Sequence, residues 1–346
     1  MTNGRVIQDL LELPYITSVP RDGRSVPLQP FFDAGVGDWH LYVPHANNSL
    51  IRLAGGESVS GSYLALRAAD PDRDLPFPLG TLIIRSLSFA GTLTALGHLE
   101  NDVHRCAAIL EKYQLIWENR HSSERAAGLL IESELEYLVM LLRSLYDLLQ
   151  GVIRDLSQRF RRIDNPARRG IQRLPDSFAD VVMKDSVILE TPAIAQRLRM
   201  PEPLAAWYHG EAHFFAQIRN LRDAIAHHGH QASTVFEVDW GFAVDPSDTV
   251  WAPFAALFVG PRWNGSLASL RGAFAGLVRR ALDATDRFAA VLPNFVDLPE
   301  PLGSDFEVFV RSPFGHHLTG LARIIDQPWE GLGRGPATVP PESRNS

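Results

Sequence analysis

Apolar residues recur at helical spacing through three long stretches of this chain. In the first, Leu93, Leu96, Leu99, Val103 and Cys106 run on into Ala107, Leu110, Tyr113 and Ile116. That spacing predicts a helix over about 81–117. Asn119 to Ser123 interrupt the pattern, and Ser122 or Ser123 can cap the next helix. In the second stretch Leu129, Leu135, Leu138, Leu142, Leu145, Leu149 and Ile153 carry a stripe to about Phe160. Glu132, Glu134, Glu136, Arg143 and Asp147 lie off it. Two long helices joined by a short break predict an antiparallel pair. The third stretch starts near Pro203, which suits a first helical turn. Phe214, Ile218, Leu221 and Ile225 form its stripe, and Gly229 is suited to stop it. Residues 177–183 and 193–198 read as short helical pieces, and residues 266–292 as a further amphipathic helix.

The texture between residues 31 and 67 is different. Trp39 to Val43, Ser49 to Leu53 and Tyr63 to Arg67 are short, partly alternating runs punctuated by Asn and Gly. They predict two to four strands of a small sheet. Residues 69–80, with three prolines and a charge cluster, read as a loop. Residues 234–240 alternate and predict a strand, with 250–259 as its partner and 306–310 as another short strand. The Gly/Pro/Ser-rich residues 331–346 read as a disordered tail. The expected fold is therefore mainly α (α+β): an up-down helical bundle with a small N-terminal β element and a short β insertion after the third long helix. The expected division is 1–80 for the β-containing region, 81–330 for the bundle with its insertion at about 233–260, and 331–346 for the tail.

Composition narrows the function. The 346 residues carry a formal net charge of −7 and a pI near 5.9, which argues against a surface that binds nucleic acid by charge everywhere. The dense basic stretch is local: Arg154, Arg159, Arg161, Arg162, Arg168, Arg169 and Arg173. It reads as an exposed junction or as an RNA-guiding patch. One cysteine, Cys106, leaves no internal disulfide and no cysteine-based metal cluster. No basic start precedes an apolar core at the N-terminus, and no apolar run reaches the roughly 18 residues a membrane span needs. The expectation is a cytoplasmic protein with no membrane association.

Candidate chemistry concentrates at the end of the third helix, in Ile218 to His230. On a helical wheel of about 100° per residue, Asn220, Asp223 and His227 share a side, with Arg219 and Arg222 next to them. Arg222-Asp223-Ala224-Ile225-Ala226-His227 resembles the R-x4-H signature of the HEPN superfamily, with a small polar residue after the arginine. The amphipathic approach, Arg219-Asn220 just before, and the long helix upstream extend the resemblance over roughly residues 85–230. A second R-x4-H, Arg311 to His316, spans Ser312-Pro313-Phe314-Gly315, which cannot be a helix interior; it is a decoy.

The resemblance implies a metal-independent endoribonuclease of the toxin or antiviral-defence kind, acting on RNA that is single-stranded, as a homodimer, with an antitoxin or other defence protein as partner. Such cleavage needs a base for the ribose 2′-OH, a cation for the phosphate and an acid for the leaving 5′-oxygen. By resemblance His227 takes the proton role and Arg222 the phosphate role, while Asp223 orients one or the other. Arg219, Asn220, His228 and His230 would contact substrate. No cofactor and no metal are expected, because adjacent histidines point apart on a helix and no carboxylate spacing supports His227, His228 and His230 as ligands. The competing readings are a non-catalytic HEPN-like module for dimerisation or for RNA or nucleotide binding, and a solvated helix face whose motif is incidental. Glu211 and His213 read as ordinary surface residues, and Arg143 with Asp147 as a standard i,i+4 pair.

Overall fold

The computed structural model describes residues 5–7, 9–54, 60–122, 126–157, 159, 163, 174–228 and 234–330, with the backbone alone for residues 5, 48, 54 and 224–228. In chain order the N-terminal strands are β1 (Arg5–Ile7), β2 (Phe31–Asp33), β3 (Asp38–Pro44), β4 (Leu50–Ala54), β5 (Gly61–Ala65) and β6 (Asp74–Pro76). After them come helices α1 (Pro78–Ser86), α2 (Ala90–Glu118), α3 (Ala126–Leu156) and α4 (Phe178–Val182). Next are a small hairpin, β7 (Met183–Lys184) with β8 (Val187–Ile188), and helices α5 (Thr191–Leu198) and α6 (Glu202–His228). The chain continues through β9 (Phe236–Val238), β10 (Gly241–Val244), β11 (Ala268–Ser269), α7 (Leu270–Val291), β12 (Glu307–Arg311), α8 (Gly315–Thr319) and α9 (Leu321–Asp326).

This is an α+β protein, which corrects the expectation of an up-down helical bundle with minor β elements. Seven strands form one mixed sheet in the order β1-β4-β3-β2-β5-β12-β6. Within it β2 pairs parallel to β5, and the other pairs are antiparallel. The physical reason for the difference is β12. It is a short apolar strand far downstream, and it completes the sheet by inserting between β5 and β6, with Phe309 opposite Tyr63 on one side and Pro76 on the other. Its other sheet neighbour, β6, lies inside the proline-rich stretch expected to be a loop; Pro76, which has no N–H for a ladder, sits on an edge strand where none is needed.

The helical stripes hold. Leu135, Leu138, Leu142, Leu145, Leu149 and Ile153 of α3 are buried, as are Leu96, Leu99, Val103, Cys106 and Leu110 of α2. Leu129 is the exception and stays exposed. The two helices run antiparallel: Lys112 Nζ donates to Glu134 Oε1 at 2.9 Å near one end. At the other end Gly91 lies against Asp155, where an added Cβ would come within 2.8 Å of the carboxylate. The apolar run at 250–259 is not a strand. Residues Ala252–Leu257 form a 3-10 helix that turns Trp251, Phe254 and Phe258 into the core, and the partner of β9 is β10. Pro253 in the first turn of that helix is at home there and would be out of place in a central strand.

α6 is the axis on which the other helices meet. Tyr208 donates to Gln150 of α3, and Trp207 donates its indole N–H to the Ala284 carbonyl of α7. Glu211, expected on the surface, is buried: it accepts from Tyr146 of α3 at 3.1 Å and from Arg280 and Arg287 of α7 at 2.6 and 2.9 Å. A carboxylate taken out of water needs such partners, and here they join three helices at one point.

Candidate active site

The arginine of the R-x4-H motif opens onto a groove. Arg222, on the penultimate turns of α6, lines a depression of about 830 Å³ together with Glu136, Met140, Arg143, Ser144, Asp147 and Leu148 of α3. The seven side chains come from two helices whose apolar stripes pack together, so their polar flanks form the two walls. Asp147 and Leu148 also line a second depression of about 870 Å³, which continues past His98 of α2 to Arg154, Asp155, Arg159 and Asp176. The two depressions thus meet along α3.

Charge in the groove is paired. Arg222 Nη1 lies 2.8 Å from Asp223 Oδ1, and Arg219 Nε lies 3.7 Å from Asp223 Oδ2, so one carboxylate holds two guanidinium groups. Arg219 also reaches the Met183 sulfur. Across the groove Arg143 Nε is 3.9 Å from Asp147 Oδ2. Burial lifts Asp147 above the ordinary aspartate range, against the Phe178 N–H that donates to it at 3.2 Å, and the nearby Asp180 charge adds to the rise.

Of the sequence-predicted residues, Arg222, Asp223 and Arg219 are brought together, half-buried, at the groove's end, while Asn220 is exposed on the same helix. The backbone of α6 continues helically through positions 227 and 228, which puts His227 one turn beyond Asp223 and His228 next to it along the chain. His230 and the expected stop Gly229 lie outside the described residues, as do Arg161, Arg162, Arg168, Arg169 and Arg173 of the basic stretch. Arg154 and Arg159 are described, and each meets an acid, Asp176 and Asp155 respectively. Sequence reasoning alone does not mark the α3 wall as part of a site. Arg143 and Asp147 do form the expected i,i+4 pair, and the signal that they face α6 lies in their shared position off the leucine stripe.

The decoy motif has a structural role. Arg311 at the end of β12 forks onto Asp74 of β6 with two bonds of 2.7 Å, beneath the rings of Trp39 and Tyr63. His316 belongs to α8, across a turn. Among the described residues no helix is long and apolar enough to cross a membrane. Comparison with protein-family models, with curated proteins and with solved structures gives no match for this chain.

Proposed function

We propose that the groove between α3 and α6 is the RNA-cleaving site of a metal-independent endoribonuclease resembling HEPN enzymes in its motif. The single observation that carries this reading is that Arg222 lines a concave surface and is held there by Asp223. A motif arising by chance on a solvated helix would more often face flat surface. In the reaction His227 takes the proton from a ribose 2′-OH, and that oxygen attacks the adjacent phosphorus. The P–O5′ bond breaks, and an acid returns a proton to the 5′-oxygen. Arg222, always charged and able to grip two phosphate oxygens, stabilises the developing charge. The products are a 2′,3′-cyclic phosphate and a 5′-hydroxyl.

One motif supplies one base, so the second proton-transfer group comes from a second copy of the chain. The apolar side chains Leu129, Leu130, Tyr137 and Met140, exposed along α3 beside the groove, support such pairing. The test is cleavage of single-stranded RNA in EDTA by the purified chain. Arg222→Ala and His227→Ala are each expected to lower the rate by about 10²–10⁴-fold with the circular dichroism unchanged. Full activity in both variants would refute the assignment. RNA binding without turnover by the unmodified chain would make the groove a dock and not an active site.

A further inference from the structure

A second constellation lies away from the α3–α6 groove, where α8 meets α2. Glu111 of α2 and the adjacent His316 and His317 of α8 converge there. His317 Nε2 is 2.7 Å and His316 Nε2 is 3.9 Å from the same oxygen, Glu111 Oε2. The three donor atoms all lie within 4.8 Å of one another. Glu111 is roughly 20 Å further along α2 than His98, the last of the α2 residues that line the second groove.

The convergence of the two rings is unusual for neighbours in sequence. Successive side chains of a regular helix diverge by about 100°, yet these imidazole centroids are 4.1 Å apart. A structural carboxylate–imidazole hydrogen bond needs one histidine, and His317 supplies it. His316 adds a second ring nitrogen facing the same oxygen, too far for a hydrogen bond and at a spacing that suits a shared cation. Tetrahedral zinc with bonds of about 2.0–2.1 Å sets its ligand atoms about 3.3–3.4 Å apart. The separations of 2.7 and 3.9 Å from Glu111 Oε2 straddle that value and the two ring nitrogens lie within 4.8 Å of each other, so side-chain shifts of up to about 1 Å bring the three donors to that spacing.

The backbone that presents the histidines is fixed. Gly315, directly before them, packs so closely on the Arg73 carbonyl that an added Cβ would lie 1.9 Å from its oxygen. At the other end of α8 the Thr319 hydroxyl donates to the Asp72 carbonyl at 2.6 Å. Just upstream, Arg311 is locked on Asp74. Ligands carried on so constrained an element lose little freedom on binding an ion.

We propose that Glu111, His316 and His317 form a three-ligand site for a divalent transition metal of the zinc class, with the fourth position left to water. Two imidazoles and a carboxylate suit zinc by donor type. His317 and Glu111 are largely enclosed while the His316 side chain is half-exposed, so the open position faces solvent. Water bound there would be acidified toward neutral pH.

The test uses the full-length, untagged chain, stripped with EDTA, desalted and dialysed against micromolar zinc chloride. Elemental analysis is expected to find one zinc per chain, and cobalt(II) in its place is expected to give the intense visible bands of tetrahedral coordination. His316→Ala, at a half-exposed position, should weaken zinc binding on the order of 100-fold or more with the melting curve of the metal-free protein unchanged. Glu111→Gln should do the same. Replacing His227, His228 and His230 together with alanine should leave the stoichiometry at one. Zinc well below stoichiometry in the unmodified chain, undiminished binding in His316→Ala, or loss only in the triple variant would each overturn the site. None of these readouts depends on RNA cleavage.

Discussion

The Asp74–Arg311 pair offers a quantitative test of how the sheet is closed. Asp74 accepts from Arg311 Nε and Nη2 at 2.7 Å each, from the Tyr63 hydroxyl at 2.6 Å and from the Asp70 N–H at 2.7 Å. The Asp74 side chain is fully enclosed and that of Arg311 is 10 % exposed, so solvent screens little of the interaction. Asp74→Asn keeps the shape and removes the charge, leaving a buried guanidinium without its counter-ion. Breaking a buried pair from one side costs about 3–5 kcal/mol. Arg311→Met leaves the carboxylate stranded instead and should cost a similar amount. Replacing both, with Asp74→Asn alongside Arg311→Met, removes both charges, and the amide oxygen can still accept from the Tyr63 hydroxyl or the Asp70 N–H, so at most one donor is stranded, at about 1–3 kcal/mol. The double variant should therefore be less destabilised than the sum of the singles by about 2 kcal/mol or more. Urea unfolding monitored by tryptophan fluorescence measures all three. A loss below about 1 kcal/mol in Asp74→Asn, or strict additivity in the cycle, would show that the pair does not hold β12 between its neighbours.

Two further predictions concern buried carboxyls. Glu211→Gln keeps the volume but weakens the hub joining α3, α6 and α7. It should lower stability by about 2 kcal/mol, most of it from Arg280, because the more exposed Arg287 is partly screened; an unchanged thermal melt would contradict this. Among the described residues, both carboxylate oxygens of Glu330 are buried without a partner of ordinary hydrogen-bond geometry, beside the Tyr113 hydroxyl. Burial pushes it from the usual glutamate range up to about 7, against the pull of the Arg271 charge. Between pH 4.5 and 7 the folded chain therefore holds a proton that the unfolded chain releases. This contribution to stability is fully present below about pH 4.5 and is lost as pH rises through 7, by up to about 3 kcal/mol. Glu330→Gln should flatten that part of the stability–pH curve relative to the unmodified chain, and parallel curves would refute the assignment.

How much of the fold is legible in the sequence depends on which interactions are local. The stripes of α2, α3 and α6 are plain because a helix buries every third or fourth residue of one continuous segment. Leu129 stays exposed because, six positions before Leu135, it lies about 120° off that face, which continues instead through Ile131 and Ala127. The large sheet is underestimated from sequence because its completing strand is β12, and the pairing of Phe309 with Tyr63 leaves no trace at short range. The aromatic run at 250–259 has the texture of a strand, but Pro253 and the packing of Trp251 turn it into a 3-10 helix. The motif on α6 is visible, and so is the i,i+4 pair on α3; that Arg222 and Arg143 line one groove depends on how the two helices are rotated. Glu211 passes for a surface residue because Arg280 and Arg287 lie on another helix. The convergence of His316 and His317 on Glu111 is hidden for the same reason, and the rule that adjacent histidines diverge does not hold in the short turn of α8.

The most direct test of the account is chemical. A single-stranded oligoribonucleotide cut by the protein in EDTA should yield fragments ending in 2′,3′-cyclic phosphate by mass spectrometry, and one 2′-deoxy substitution at the cut position should abolish that cut. Cleavage that tolerates the 2′-deoxy nucleotide, or no cleavage of any RNA by the purified chain, would contradict it.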